Sequence, residues 1–130
     1  MTEHLCNLIV PGAGKSGTSA LHDMLDKHPE IRMSSSKEPH YFCKDDRYES
    51  GAAWHNSIFE PISTEIIYGE SSTGYMIWPK SIERITNDLT DPKVILVLRH
   101  PVEWTFSHWR WRVKLGLEKR SLKEAVHDDG

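Results

Sequence analysis

A chain of 130 residues carrying 16 Lys and Arg against 19 Asp and Glu has room for one domain at most, and its formal charge of −3 gives no global attraction to nucleic acid or an anionic membrane. Its two cysteines, Cys6 and Cys43, suggest neither a disulfide scaffold nor a zinc site of normal ligand spacing. No long apolar run or signal-peptide pattern precedes the first strand, which predicts a soluble, cytoplasmic protein, although a chain from which an anchor had been removed would read the same.

Leu5, Leu8, Ile9 and Val10 form a short apolar run suited to a strand covered on both faces. Pro11, Gly12 and Gly14 break it, Lys15, Ser16, Gly17, Thr18 and Ser19 follow, and Ala20, Leu21, Met24 and Leu25 take up helical spacing. A cationic, hydroxyl-rich turn therefore stands at a helix start. The first amides of a helix have no carbonyl partner inside it, and the helix dipole puts partial positive charge at the same end, so a phosphate or sulfate can accept those hydrogen bonds. Gly17 lets the backbone approach an anion, Lys15 supplies a full charge, and Ser16, Thr18 and Ser19 add hydroxyl donors. A capped turn with a solvated lysine is the plainer alternative, but it does not explain so many donors in one place. A nucleoside triphosphate P-loop fits less well, because Ile9 stands where that motif needs its first glycine and the strand over 94–98 ends in Arg99 in place of a magnesium-binding aspartate. An ATP- or GTP-dependent kinase is the runner-up.

After the first helix, Pro29 forces His28 out of helical conformation, and Ile31, Arg32 and Met33 begin a short extended piece. A polar turn at Ser34, Ser35 and Ser36 leads into Lys37-Glu38-Pro39-His40-Tyr41-Phe42. Glu38 and His40 are proton acceptors by type, and partial burial beside two aromatics tunes a carboxylate for that work. On the segment alone, a surface Glu and His on a loop anchored by Tyr41 and Phe42 is the slightly better account.

Residues 48–59 have the spacing of a small amphipathic helix through Ala52, His55 and Phe59, with packing the favoured role for Trp54 and His55. Ile66, Ile67 and Tyr68 predict a strand, followed by Gly69, Glu70 and the hydroxyls of Ser71, Ser72 and Thr73, where open parallel sheets bind ligands. Polar loop chemistry explains that run equally well. Pro79 starts a crossover helix with Ile82, Ile85 and Leu89 inward and Lys80, Glu83, Arg84 and Asp88 outward. Residues 94–98, Val-Ile-Leu-Val-Leu, read as a central parallel strand with Arg99 at its end. A helix follows from Pro101, on which Ser107 is placed to converge with Arg99 on one anion. Ser121 and Glu124 have the spacing of a capping box opening a last helix.

These motifs resemble the sulfotransferases that use 3′-phosphoadenosine 5′-phosphosulfate (PAPS) over nearly the whole chain. Lys15-Ser16-Gly17-Thr18 is similar to the family's turn for the 5′-phosphosulfate, and Arg99-His100-Pro101 with Ser107 to its grip on the 3′-phosphate. The resemblance implies an α/β fold of P-loop-like, three-layer type, a central parallel sheet flanked by helices, with residues 1–130 forming a single but incomplete N-terminal portion of the family domain. It implies PAPS as sulfuryl donor, adenosine 3′,5′-bisphosphate (PAP) as product, no metal, and no nucleic-acid partner. The segment over 37–42 looks most like the branch acting on heparan sulfate and related carbohydrates, which implies that Glu38 is the base, with Lys15 stabilising the leaving group and His40 a second participant or the base itself. Ser71 stands where that branch commonly has lysine, and Trp104 where many members have a second arginine. The acceptor implied is a hydroxyl or amine, carbohydrate or small molecule. A PAPS- or PAP-binding module without full catalytic activity is the alternative, separable by titrating the bisphosphate against ATP.

Overall fold

The computed structural model describes residues 3–60 and 67–128. Its elements run β1 (Leu8–Val10), α1 (Thr18–Asp26), β2 (Ile31–Met33), α2 (Asp45–Glu49), α3 (Gly51–Ser57), β3 (Ile67–Ser71), a 3-10 turn (Thr73–Met76), α4 (Pro79–Asp88), β4 (Lys93–Val94), α5 (Pro101–Lys114) and α6 (Leu122–Asp128). The chain divides into two units, Met1–Val97 and Leu98–Gly130.

In the first unit the strands make one parallel sheet in the order β2-β3-β1-β4, with Ile9 opposite Glu70 and Val94. All three residues of β1 are buried, as its unbroken apolar run predicts. The α1 helix packs on β2 and β3. Its covered side carries Thr18, Leu21, His22 and Leu25, a stripe at helical spacing, while Met24 is exposed. His22 is buried because both ring nitrogens are satisfied: Nε2 donates to the Ser34 carbonyl at 3.2 Å, and Nδ1 lies 2.9 Å from Ser71 Oγ.

The core is aromatic. Tyr41 stacks on His55 at 4.2 Å with the rings nearly parallel, and Phe42, Phe59 and Tyr75 close around them. Into this apolar setting β3 carries Glu70, fully buried. The cost of burying a carboxylate is offset by four contacts: His55 Nε2 at 2.9 Å from Oε1, the Tyr75 hydroxyl at 2.9 Å from both oxygens, and the Ser72 hydroxyl donating to Oε2 at 3.0 Å.

Several boundaries differ from expectation, each for a local reason. The single helix over 48–59 is two helices, broken where Gly51 takes φ 79°. The third strand runs on to Ser71, so Glu70 belongs to the sheet and points into the core; Ile66 lies outside the described residues. On α4, Ile82 is exposed, whereas Arg84 turns inward to bond the Phe42 carbonyl, pair with Asp45 and lie 4.2 Å from the Tyr48 ring centre. Among the described residues the apolar run over 94–98 is at the sheet's edge instead of its centre, with Val94 and Leu96 more than half exposed. Its backbone bonding to β1 still extends to Val97, through Ile95 N to Ile9 O and Val97 N to Gly12 O.

In the second unit, Pro101 occupies the first turn of α5 and Ser121 caps α6. The capping box forms as its spacing predicts, the Ser121 amide donating to Glu124 Oε2 at 2.8 Å and the Glu124 amide to Ser121 Oγ at 3.3 Å.

Candidate active site

The turn after β1 leads directly into α1. Gly17, the residue before the helix, takes φ 92°, and no side chain caps the first turn. Those amides are therefore available to an anion. Lys15 beside them is exposed and itself sits in the left-handed region at φ 63°. Of the predicted hydroxyls, Ser19 is exposed, Ser16 is half-buried with its Oγ 3.5 Å from the Gly14 carbonyl, and Thr18 is buried on the packing side of α1.

Glu38 reaches this turn through the end of β3. Its amide donates to the Ser71 carbonyl at 2.8 Å, and its carboxylate Oε2 accepts from the Thr73 amide at 2.9 Å and lies 3.3 Å from Thr73 Oγ1. Lys37 Nζ lies 3.0 Å from the other oxygen, Oε1. Thr73 also borders the anion turn: a Cβ built on Gly14 would sit 3.8 Å from Thr73 Cβ and 3.9 Å from its Oγ1, ordinary van der Waals distances. At Gly12 the approach is closer, since an added Cβ would stand 2.6 Å from Met76 Sδ. The 3-10 turn thus packs beneath the glycines of the anion turn and holds Glu38 from its other side.

His40 belongs to the same group. Its amide donates to Ser72 Oγ at 3.0 Å, its Nε2 is 3.7 Å from Glu38 Oε2, and its Nδ1 is 3.5 Å from Cys43 Sγ. Burial pushes the Cys43 thiol up from its ordinary range, so it remains a neutral partner. Tyr41 and Phe42, both buried, pin the loop that carries these two residues. Non-glycine residues with positive φ among the described residues are Lys15, Glu38, His40 and Asp91, and each such backbone costs roughly 1–2 kcal/mol. Three of the four gather here, which marks the place as a candidate site.

The Thr73 contact was not foreseen as a role, although the hydroxyl run Ser71-Ser72-Thr73 marked the place. Glu70, by contrast, serves the core. Cys6, His55 and Glu70 bring ligand-type atoms within 4.8 Å of one another, but both Glu70 oxygens already accept hydrogen bonds and burial holds the Cys6 thiol well above its ordinary range. That cluster reads as a satisfied polar network. A cavity of about 910 Å³ lined in part by His4, Tyr41, Tyr48 and Asp88 shares no residue with the anion turn.

Arg99 and Ser107 lie in the second unit. Arg99 Nε is 3.7 Å from Glu103 Oε2, and Ser107 follows Glu103 by one turn of α5, half-buried.

With this geometry in view, the comparisons with known proteins are specific. The chain is 35% identical over 113 residues to the membrane-associated sulfotransferase kil1 of Dictyostelium discoideum, covering 85% of this chain and 24% of that protein. It is 35% identical over 101 residues to human heparan sulfate glucosamine 3-O-sulfotransferase 6, covering 78% of this chain and 29% of that one. A crystal structure of a sulfotransferase from Alicyclobacillus acidocaldarius superposes with a TM-score of 0.77 at 26% identity, covering 94% of this chain and 56% of the other. The chain is a relative of the sulfotransferases. No family model matches it. It spans about a quarter to a third of the length of the curated relatives it matches, and just over half of the solved sulfotransferase. The parallel sheet with its accompanying helices is the sulfotransferase fold over that part. One relative is named membrane-associated; among the described residues of this chain, no helix is long and apolar enough to cross a membrane.

Proposed function

We propose that this chain binds PAPS and takes part in moving its sulfuryl group to a hydroxyl or amine of an acceptor, with a carbohydrate as the favoured class. The 5′-phosphosulfate is assigned to Lys15, Ser16, Gly17, Thr18 and Ser19, and the 3′-phosphate to Arg99 and Ser107. Glu38 takes the acceptor's proton as the acceptor oxygen or nitrogen forms its bond to sulfur. The bond from sulfur to the bridging oxygen breaks, its electron pair stays on that oxygen, and Lys15 with the α1 amides stabilises the charge gathering on the departing PAP. His40, against Oε2 of Glu38, is a second participant in proton transfer. The reaction so written uses no metal.

The observation that supports this reading most directly is Thr73, whose amide bonds Glu38 while its side chain borders Gly14, so that proton acceptor and anion turn share one neighbour. The carbohydrate class is supported by relatives named as heparan sulfate sulfotransferases. Incubation with radiolabelled PAPS and heparan sulfate or simpler sugars tests it: label should pass to acceptor with the parent chain and fall by ~10²-fold or more with Glu38→Gln. Transfer undiminished in Glu38→Gln removes Glu38 as the base.

Because the chain spans only part of its relatives, a second reading is retained in which it binds PAPS or PAP without completing transfer. Bisphosphate binding with no label reaching any acceptor would favour it.

A further inference from the structure

The contacts of Glu38 are unequal between its two oxygens. Oε2 faces two donors from a single residue, the amide and hydroxyl of Thr73 at 2.9 and 3.3 Å, with His40 Nε2 beyond them at 3.7 Å. Oε1 has the ammonium group of Lys37, the neighbouring residue, at 3.0 Å. A carboxylate oxygen has about two lone-pair directions, so Oε2 is saturated by groups on the sheet framework. Among the described residues, Oε1 is bonded by the long, partly exposed side chain of Lys37, whose flexible stem allows it to swing aside.

The backbone repeats the asymmetry. Glu38 is held in the left-handed region at φ 58° while its amide bonds the Ser71 carbonyl, two residues before Thr73. Peptide and carboxylate are thus both fastened to the junction between β3 and the 3-10 turn, and that junction in turn touches Gly14. Small errors in the aim of a reacting group cost rate steeply, so a clamp on Glu38 that also references the anion turn has catalytic value.

We infer that Thr73 is a positioning residue: its hydroxyl, adding to the bond from its amide, completes the hold on Oε2, aims the carboxylate of Glu38 across the anion turn and leaves Oε1 as the oxygen that takes the acceptor's proton. This rests on the reading of Glu38 as the base. Nothing in the motif resemblance assigns a role to position 73. Lys37 is then the group displaced as the acceptor arrives, and Thr73 stays in place throughout.

Two substitutions separate the hydroxyl from the fold. Thr73→Val keeps size, β-branching and the amide donor but removes the hydroxyl, and Thr73→Ser restores it. In the parent chain and both variants, sulfate transfer and the carbon-13 signal of the Glu38 carboxylate are measured, the signal being assigned by its loss in Glu38→Gln. The inference predicts that Thr73→Val lowers kcat by about tenfold, leaves KM for PAPS within about twofold, and moves the Glu38 signal, and that Thr73→Ser returns all three toward the parent values. An unmoved carboxylate signal in Thr73→Val overturns it, including on a chain that shows no turnover. So does a moved signal with unchanged kcat in a chain that turns over. If Glu38→Gln itself keeps full transfer, the assignment of the base has failed, and that result is distinct from any behaviour of the Thr73 variants.

Discussion

The Thr73 amide donates to Oε2 of Glu38 across 2.9 Å, tying residues 35 positions apart in the chain at the point where a parallel strand ends. The relationship explains how a residue on a loop acquires a fixed direction. The loop's own aromatics anchor it to the core, the end of β3 takes its amide, and the following 3-10 turn takes its carboxylate. Loops held in this way by a rigid sheet are where chemistry is ordinarily placed.

The buried pair His55 and Glu70 makes a stability prediction independent of function. With both side chains fully buried and bonded at 2.9 Å, His55→Ala leaves a carboxylate oxygen without one of its partners inside an aromatic core. Denaturant unfolding should show a loss of about 3 kcal/mol or more, with a similar loss for Glu70→Ala. A change below about 1 kcal/mol in both variants would mean that water reaches the pair.

Two glycines of the anion turn should respond differently to the same substitution. At Gly12, φ is 145° and an added methyl meets Met76 Sδ at 2.6 Å; at Gly17, φ is 92° but nothing lies within 4 Å. Gly12→Ala therefore carries backbone strain together with a contact from which the half-exposed Met76 side chain must move, and should destabilise by about 2 kcal/mol, whereas Gly17→Ala should cost about 1 kcal/mol from strain alone. Thermal melts of the two variants beside the parent chain check the order, and the reverse order would contradict the packing of the 3-10 turn beneath Gly12.

Acid should loosen the second unit before pH 2. Hydrogen bonds from the Arg120 guanidinium and amide hold the Glu118 carboxyl at about 2, against an ordinary value of 4.5. A carboxyl lowered on folding contributes stability that is complete above its unfolded value and is lost as pH falls from about 4.5 through about 2. The Trp109 indole, whose Nε1 donates to the Arg120 carbonyl at 3.1 Å, is a local reporter. Its NMR signal should shift over that window in the parent chain and far less in Glu118→Gln; a signal equally sensitive to acid in both would show that Glu118 is not the cause.

The sequence carried the site's ingredients more clearly than its architecture. The glycine-rich turn between β1 and α1, the loop over 37–42 with its aromatic anchors, the α6 capping box and the proline starts of α4 and α5 were all legible, because each depends on residues close together in the chain. What stayed hidden depends on distant pairs. Glu70 read equally well as a ligand-facing acid or as polar loop chemistry, because nothing local reveals that His55 and Tyr75 wait for it in the core. The inward Arg84 escaped notice for the same reason, since Asp45, Tyr48 and the Phe42 carbonyl come from another segment. The run over 94–98 looked central by composition, but neighbours in a sheet are set by topology and not by the strand's own residues.

The central claim is that the Lys15 turn is built for the phosphosulfate end of an adenosine bisphosphate nucleotide. Isothermal titration with adenosine 3′,5′-bisphosphate, run in parallel with ATP and magnesium on the parent chain and on Lys15→Ala, tests it most directly. The account predicts saturable binding of the bisphosphate in preference to ATP, weakened by about tenfold or more in Lys15→Ala while the melting temperature stays with the parent. Bisphosphate binding unaffected by Lys15→Ala, or a preference for ATP with magnesium, would contradict it.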